Sequence, residues 1–204
     1  MRSLYSLKPW FSQALRPVLG IALRLKLSPD IFTTLNVLAG FGAGYGIYML
    51  NAWLVLAAVI LRLAFANLDG SLARARSELV GTPISRFGFM KNEIGDRLSD
   101  FATMSGFIFL PEIQESSLYS SSALMAVFVA GAPTIISLVG VRNGLARING
   151  GPFGKTERAF GCVLIVFIAN LSAQVGVTVY FGSLAIILGS LVTAWVRYFQ
   201  IVKR

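Results

Sequence analysis

The sequence predicts an all-α integral membrane protein of six transmembrane helices, preceded by an amphipathic helix at the membrane surface. The first observation is composition: of 204 residues, 55% are hydrophobic and only 13% are charged. A water-soluble domain needs more polar surface than this. The second is length, because about 30 Å of hydrocarbon requires a helix of about 20 apolar residues. Six such segments can be placed, at residues 30–50, 52–72, 97–111, 121–141, 158–178 and 180–201.

The segment before the first span, residues 1–27, mixes cations with aromatic and aliphatic residues. Lys8, Arg16, Arg24 and Lys26 interrupt its apolar stretches, so it lacks the apolar core and cleavage site of a signal peptide. This alternation favours an amphipathic helix in the headgroup layer, with a disordered tail as the alternative. The remaining residues, 28–204, are predicted to form one six-helix transmembrane domain.

The third observation is the distribution of the 18 Lys and Arg residues. All but Arg62 fall in four segments, at residues 2–26, 74–97, 142–158 and 197–204. The intervening loops, near 51–52, 112–120 and 173–179, contain none. The positive-inside rule therefore places both termini and the two longer loops in the cytoplasm, with an even number of spans in the cell or inner membrane. The net charge of +9 is explained by topology and anionic lipid headgroups, and no nucleic-acid partner is expected.

The scarcity of histidine and cysteine limits the kinds of catalysis and metal site that are possible. The sequence has no histidine, and its single cysteine, Cys162, lies in an apolar helix where a packing role is expected. Histidine-assisted nucleophilic catalysis and His/Cys zinc sites are thereby excluded. Any catalysis must use carboxylates, basic side chains, hydroxyls or a metal held by oxygen.

Four acidic residues lie at the inner edge of a predicted span or inside it: Asp69, Glu93, Asp96 and Asp100. A carboxylate at such depth is costly unless it is paired, coordinated or facing water, so a functional role is the default interpretation. Asp96 and Asp100 are one helical turn apart, and Asn92 shares their face. Carboxylates that converge from neighbouring helices provide an oxygen-rich site for Mg²⁺ or Mn²⁺. The alternative is a network of interhelical ion pairs that only fixes helix packing.

Cations and small residues adjoin these carboxylates. Gly70 removes a side chain beside Asp69, and Arg74 follows one turn later on the same helix. In the second cytoplasmic loop, Lys155 and Arg158 share a face at a helix start and could meet a phosphate group. The alternative is that these two cations only satisfy the positive-inside rule.

Other small residues are assigned to packing. Glycines recur in the first span at Gly40, Gly42, Gly44 and Gly46, which predicts close helix contacts instead of a ligand site. Pro133 is expected to kink the fourth span.

The segments D-G-S-L-A-R at 69–74 and D-R-L-S-D at 96–100 resemble the signature of the CDP-alcohol phosphatidyltransferases, D-x-x-D-G-x-x-A-R…G-x-x-x-D-x-x-x-D. The resemblance implies a transferase of phospholipid biosynthesis. It would move a substituted phosphate from a CDP-linked donor, often CDP-diacylglycerol, to a small alcohol and release CMP. The resemblance also implies that the six-helix domain is catalytic, with a cytoplasmic active site, and that the protein forms a homodimer.

Residue roles follow from the same resemblance. In the family, the motif aspartates bind two divalent cations that hold the diphosphate, and the last aspartate deprotonates the attacking hydroxyl. By position, Asp69 and Asp96 would be metal ligands, and Asp100 would be the base and also a ligand. Three further positions would line the nucleotide site: Gly70, Ala73 and Arg74. Lys155 and Arg158 would contact substrate.

The sequence departs from the family signature in three places. Ala66 stands where the family has its first aspartate, Asn92 replaces the second glycine, and 17 residues, 75–91, separate the two halves where the signature has eight. The run N-E-I-G-D-R-L-S-D resembles a variant branch, in which Asn92 or Glu93 would partly replace the missing ligand. Two other interpretations stay open. One is a small cation transporter that uses the same acidic residues, and the other is a non-catalytic relative.

Overall fold

The computed structural model describes residues 8–203 except 82, 84 and 149, together with every side chain in this part but that of Lys8. Its regular elements there are all α-helices, which confirms the predicted class. In chain order they are α1 Lys8–Ala14, α2 Arg16–Arg24, α3 Pro29–Tyr48, α4 Ala52–Val80, α5 Arg86–Ile108, α6 Pro111–Gln114, α7 Ser117–Val129, α8 Ala132–Arg142, α9 Lys155–Leu171 and α10 Val175–Val202.

Three segments are long and apolar enough to cross a membrane: α4, the α7–α8 segment and α10. The chain is therefore a multi-pass membrane protein. The other three predicted spans overlap α3, α5 and α9, but α9 has only 17 residues and α5 carries charged side chains over its first half. The predicted boundary at residue 178 is wrong, because α9 ends at Leu171 and α10 already begins at Val175. The count of six spans remains a prediction.

Local sequence explains where several helices begin and break. Ser28 caps α3, its hydroxyl accepting the backbone N–H of Asp30, and Ser85 caps α5 in the same way through Gly88. The fourth predicted span is interrupted between α7 and α8, immediately before Pro133. Proline lacks the N–H that an uninterrupted helix needs at this position, so the predicted kink is confirmed as a break.

The N-terminal region contains the two short helices α1 and α2, whereas residues 1–7 of the predicted amphipathic segment lie outside the described part. Leu19 and Leu23 of α2 pack on a cluster that includes Leu68 and Leu72 of α4. Ile21, on another side of α2, is 56% exposed. The region thus has an apolar face that the helix bundle does not cover, and its placement in the headgroup layer stays a prediction.

Helix α3 lies against both α4 and α5, and glycines set its distance from α5. A Cβ atom at Gly44 would collide with the carbonyl oxygen of Ala102, and one at Gly106 would collide with the carbonyl oxygen of Gly44. By contrast, a Cβ at Gly42 would meet nothing closer than 3.8 Å. We call Gly44 and Gly106 the glycine seam. The predicted packing role is confirmed at Gly40, Gly44 and Gly46 but not at Gly42. The seam brings the polar residues of α3 against the acidic residues of α5.

Candidate active site

A cavity of about 800 Å³ opens among α4, α5, α9 and the loop before α9. Its volume is in the range of small-molecule and cofactor sites. Six of the predicted site residues line it: Gly70, Arg74, Asn92, Asp96, Lys155 and Arg158. The remaining four lie outside its lining: Asp69, Ala73, Glu93 and Asp100.

Asp96 joins three helices at the wall of this cavity. Its Oδ1 accepts a hydrogen bond of 2.9 Å from Nδ2 of Asn36 in α3. The same oxygen forms an ion pair with Nζ of Lys155, the first residue of α9. A cation and a carboxylate therefore share one wall, which is the arrangement expected where a phosphate and its counter-ion bind together.

Asp69 lies deeper, at only 5% exposure, on the facing side of α4. The hydroxyl of Thr33 in α3 donates a hydrogen bond to its Oδ2. Asn92 is close enough to interact with this carboxylate by hydrogen bonding, and Asp96 is close enough to repel it electrostatically. Asp69, Asn92 and Asp96 are therefore brought together, as their positions in the sequence predict.

Asp100 has a different environment, because three guanidinium groups surround its carboxylate. Arg62 of α4 pairs with Oδ1. Arg97, one turn earlier on α5, lies 2.9 Å from Oδ2, and Arg158 of α9 lies 3.4 Å from the same oxygen. Asp100 is 9% exposed and lies behind Arg97 and Arg158, which themselves line the cavity.

Glu93 is also held by arginines. Its Oε2 lies 2.7 Å from Nη2 of Arg147 in the loop before α9, and its Oε1 lies 3.9 Å from Nε of Arg97. Both carboxylate oxygens of Glu93 therefore face arginines, and neither is directed toward a metal site at Asp69 and Asp96. This ion pair connects α5 to the loop that closes one side of the cavity.

A divalent cation fits one part of this cluster better than the other. Asp69 and Asp96 supply carboxylate oxygens, and the buried Oδ1 of Asn36, beside Asp96, has no hydrogen-bond partner among the residues that the structure describes. Oxygen donors of this kind suit Mg²⁺ or Mn²⁺. Within the described part of the chain, no three Asp, Glu, Cys or His side chains are grouped closely enough to hold a metal. At Asp100 and Glu93 arginines supply the positive charge, so these contacts do not support the prediction that both are ligands.

Three residues at the site were not assigned from the sequence: Thr33, Asn36 and Arg62. Arg62 carried a usable indication, because it is the only charged residue well inside a predicted span, and such residues are functional candidates by default. Thr33 and Asn36 carried none, since isolated polar residues in an apolar helix are common. Their importance follows from the packing of α3 on α5.

The fold and the site together define a class of protein: a multi-pass helical membrane protein with carboxylates and cations around one cavity. The profile of the CDP-alcohol phosphatidyltransferase family matches residues 26–196. The chain belongs to this family. It is similar to the inner membrane protein YnbA of Escherichia coli, with 29% identity over 77% of this chain and 75% of that protein. It is also similar to an uncharacterized protein of Aquifex aeolicus, with 26% identity over 97% of this chain and 93% of that protein.

Solved structures share the fold. The phosphatidylinositol phosphate synthase PgsA1 of Mycobacterium tuberculosis with CDP-DAG bound superposes with a TM-score of 0.72 at 23% identity, covering 91% of this chain and 92% of that chain. The same enzyme in complex with manganese and citrate superposes with a TM-score of 0.70 at 22% identity, covering 91% and 88% of the two chains.

Family membership identifies the protein as a transferase of phospholipid synthesis that acts on CDP-linked alcohols. The predicted family and activity are thereby confirmed. The alternative of a small cation transporter is not favoured, because the matched region, 26–196, contains the acidic cluster that a transporter would have used.

Proposed function

We propose that this transferase moves a substituted phosphate from CDP-diacylglycerol, or a similar CDP-linked lipid, to a small water-soluble alcohol. The observation that carries the proposal is the cavity, whose wall presents Asp96 beside Lys155, with Arg74 and Arg158 nearby. The PgsA1 structure with CDP-DAG bound supports a lipid donor. A diphosphate needs both cationic side chains and a counter-ion held by carboxylates, and this wall has both.

The donor would bind through its diphosphate. Arg74, Lys155 and Arg158 provide the charge, and Gly70 leaves the backbone of α4 open to the nucleotide, the Arg74 guanidinium being its nearest neighbour among the described residues. The side chain of Arg74 is free to turn toward a phosphate, because its only hydrogen bond within the described residues joins it to Ser71 on its own helix. We assign Ala73 to the nucleotide site by its place in the family signature.

A divalent cation, Mg²⁺ or Mn²⁺, would be held by Asp69 and Asp96 with Asn92. When bound, it supplies positive charge that neutralises the diphosphate and the departing CMP. The manganese complex of PgsA1 supports the choice of a divalent ion. Thr33 and Asn36 then act as supports that orient the two carboxylates, each through one hydrogen bond.

The chain's own residues also handle the transferred proton. The acceptor's hydroxyl oxygen forms a bond to the phosphorus that carries the lipid, and the bond from that phosphorus to the CMP oxygen breaks with its electron pair. We assign the proton of the hydroxyl to Asp100 by its place in the family signature. Because Asp100 lies behind Arg97 and Arg158, which line the cavity, the assignment requires these two side chains to move apart so that the alcohol comes within hydrogen-bond reach of the carboxylate.

The membrane setting follows from the charge distribution. We propose that the cavity faces the cytoplasm, where a bilayer lipid and a soluble alcohol can both enter, and that α1 and α2 lie in the headgroup layer.

We also propose a homodimer, as the family resemblance implies. Native mass spectrometry from lipid nanodiscs measures the number of chains in the assembly, and a monomer at all protein concentrations would contradict the homodimer.

The decisive experiment measures CMP released by purified protein supplied with CDP-diacylglycerol, Mg²⁺ or Mn²⁺, and a panel of alcohols. We expect release that depends on both the alcohol and the metal. Asp96→Asn should abolish it, and Asp100→Asn should lower kcat by about 100-fold or more. Glu115→Gln, in the exposed loop before α7, is the matched control and should be fully active. Wild-type protein that is folded but releases no CMP with any acceptor would refute the proposal.

A further inference from the structure

We propose that the guanidinium of Arg62 takes the place of one of the two divalent cations that the family signature implies, so that this chain binds a single divalent ion. The inference rests on the proposed function, because it concerns the same site. The single ion belongs to Asp69 and Asp96, and Arg62 serves as a positioning residue for Asp100.

The geometry of Arg62 supports this role. Arg62 is only 1% exposed although it lies in the apolar first half of α4. One end of its guanidinium pairs with Oδ1 of Asp100, and Nη1 donates a 3.1 Å hydrogen bond to Oγ1 of Thr103. Both partners are on α5. The group thus occupies the space between α4 and α5 that faces Asp100, on the helix where the family has its first metal-binding aspartate.

Charge counting leads to the same conclusion. Ala66 stands one turn after Arg62, at the position of that first aspartate. We compare this chain with a site that has aspartate at position 66 and no arginine at position 62. This chain has lost one negative charge and gained one positive charge. The change is two units, which equals the charge of one divalent cation. A second divalent ion would add two more positive charges to a poorly solvated cluster in which the paired arginine and lysine side chains already outnumber the carboxylates.

The surroundings of Asp100 strengthen the argument. Arg97 and Arg158 approach Oδ2 while Arg62 holds Oδ1, so each oxygen already faces a cation. A divalent ion at Asp100 would be repelled by all three guanidinium groups. Asp69 and Asp96 differ, because Lys155 alone among the cations forms an ion pair with either of them in the described structure. One ion can displace Lys155 there without disturbing Arg62.

The test counts Mn²⁺ ions bound by the wild-type protein in nanodiscs, by equilibrium titration and by electron paramagnetic resonance. We expect one Mn²⁺ per chain with the spectrum of an isolated ion. Two ions per chain, or the dipolar broadening of a close Mn²⁺ pair, would overturn the inference. This measurement needs no variant, so a failure to fold cannot confuse it.

A pair of substitutions tests the role of Arg62 directly. Arg62→Met combined with Ala66→Asp restores the charge of the family signature, and we expect it to bind a second Mn²⁺. Ala66→Asp alone keeps the guanidinium and should still bind one ion. If the folded double variant also binds only one ion, Arg62 is not what excludes the second. Arg24→Met, on the exposed side of α2, is the control and should bind one ion.

CMP release by the same wild-type samples separates this inference from the proposed function. One Mn²⁺ per chain without acceptor-dependent CMP would reject the function and leave the ion count intact. Two Mn²⁺ per chain with acceptor-dependent CMP would reject the inference and leave the function intact.

Discussion

At the scale of single residues, Asp96 has two competing partners, namely Lys155 and the proposed divalent ion. Lys155 neutralises the carboxylate when no ion is bound, since its Nζ pairs with Oδ1. The same ammonium lines the cavity and is proposed to contact the donor. We therefore expect one side chain to oppose metal binding and to assist substrate binding.

This competition predicts opposite effects for Lys155→Met. We expect the variant to bind Mn²⁺ about 5 to 10 times more tightly, equivalent to roughly 1 to 1.4 kcal/mol, because the ion no longer displaces an ammonium. The KM for the CDP-linked donor should rise by a similar factor, since a phosphate contact is lost. Titration calorimetry and CMP release measure the two quantities. Lys203→Met, exposed near the end of α10, should alter neither, and weaker Mn²⁺ binding by Lys155→Met would contradict the competition.

A second prediction separates Asn92 from Glu93, which the sequence proposed together as replacements for the missing aspartate. Asn92 interacts with Asp69 and lines the cavity, whereas Glu93 pairs with Arg147. Asn92→Ala should therefore weaken Mn²⁺ binding by about 10-fold or more, by analogy with other groups that orient metal ligands. Glu93→Ala should leave the Mn²⁺ affinity within about twofold. Unchanged affinity in both variants would end the idea that either residue compensates for Ala66.

The sequence indicated that three aspartates lie close together, for an identifiable reason. Asp69, Asp96 and Asp100 stand in a spaced motif on two consecutive helices, and helical periodicity alone places the last two on one face. Thr33, Asn36 and Arg62 reach the cluster only through the packing of three helices. No local pattern encodes the partners of Asp100, so its enclosure by arginines could not be predicted.

At the scale of helices, the glycine seam between α3 and α5 allows a sharp test. Gly44→Ala places a methyl group against the carbonyl oxygen of Ala102, so the helices must separate. Overpacking of this kind costs about 1 to 3 kcal/mol. We expect Tm in detergent to fall by about 5 °C. We also expect Mn²⁺ affinity to fall, because α3 carries Thr33 and Asn36.

The matched control is Gly42→Ala on the same helix. A methyl group there would meet only Cβ of Ala58, at 3.8 Å, so Tm should stay the same or rise slightly. Equal losses of stability in the two variants would show that helix propensity, and not the approach of α3 to α5, determines the effect.

Helix positions could be predicted from the sequence, whereas several helix ends could not. Each of the six apolar segments overlaps a helix, because apolar length determines where helices form, but the predicted span 158–178 runs past the end of α9 at Leu171 and into α10. Helix α4 continues to Val80, eight residues beyond its predicted end, since polar residues with good helix propensity prolong it past the apolar segment. Helix α5 begins at Arg86 for the same reason. Apolar content alone cannot locate a helix end that lies in water.

At the scale of the whole molecule, the charge asymmetry predicts orientation in the membrane. Glu115 belongs to a loop without cations and Asn143 to a cationic one, and both are exposed. In intact cells, a membrane-impermeant maleimide should label Glu115→Cys, and it should label Asn143→Cys only after permeabilisation. The native Cys162 is 1% exposed and should not react in folded protein. The reverse pattern of labelling would mean that the cavity opens away from the cytoplasm.

The burial of Arg62 also constrains biogenesis. An arginine near the centre of a helix costs about 2.5 to 3.5 kcal/mol during insertion by the translocon. Its carboxylate partner, Asp100, is synthesised 38 residues later, on the following helix. Helix α4 therefore gains its compensating charge only after α5 has emerged from the ribosome. If α5 spans the membrane as predicted, we expect the two helices to enter the bilayer together, as a hairpin whose polar interior is already neutralised.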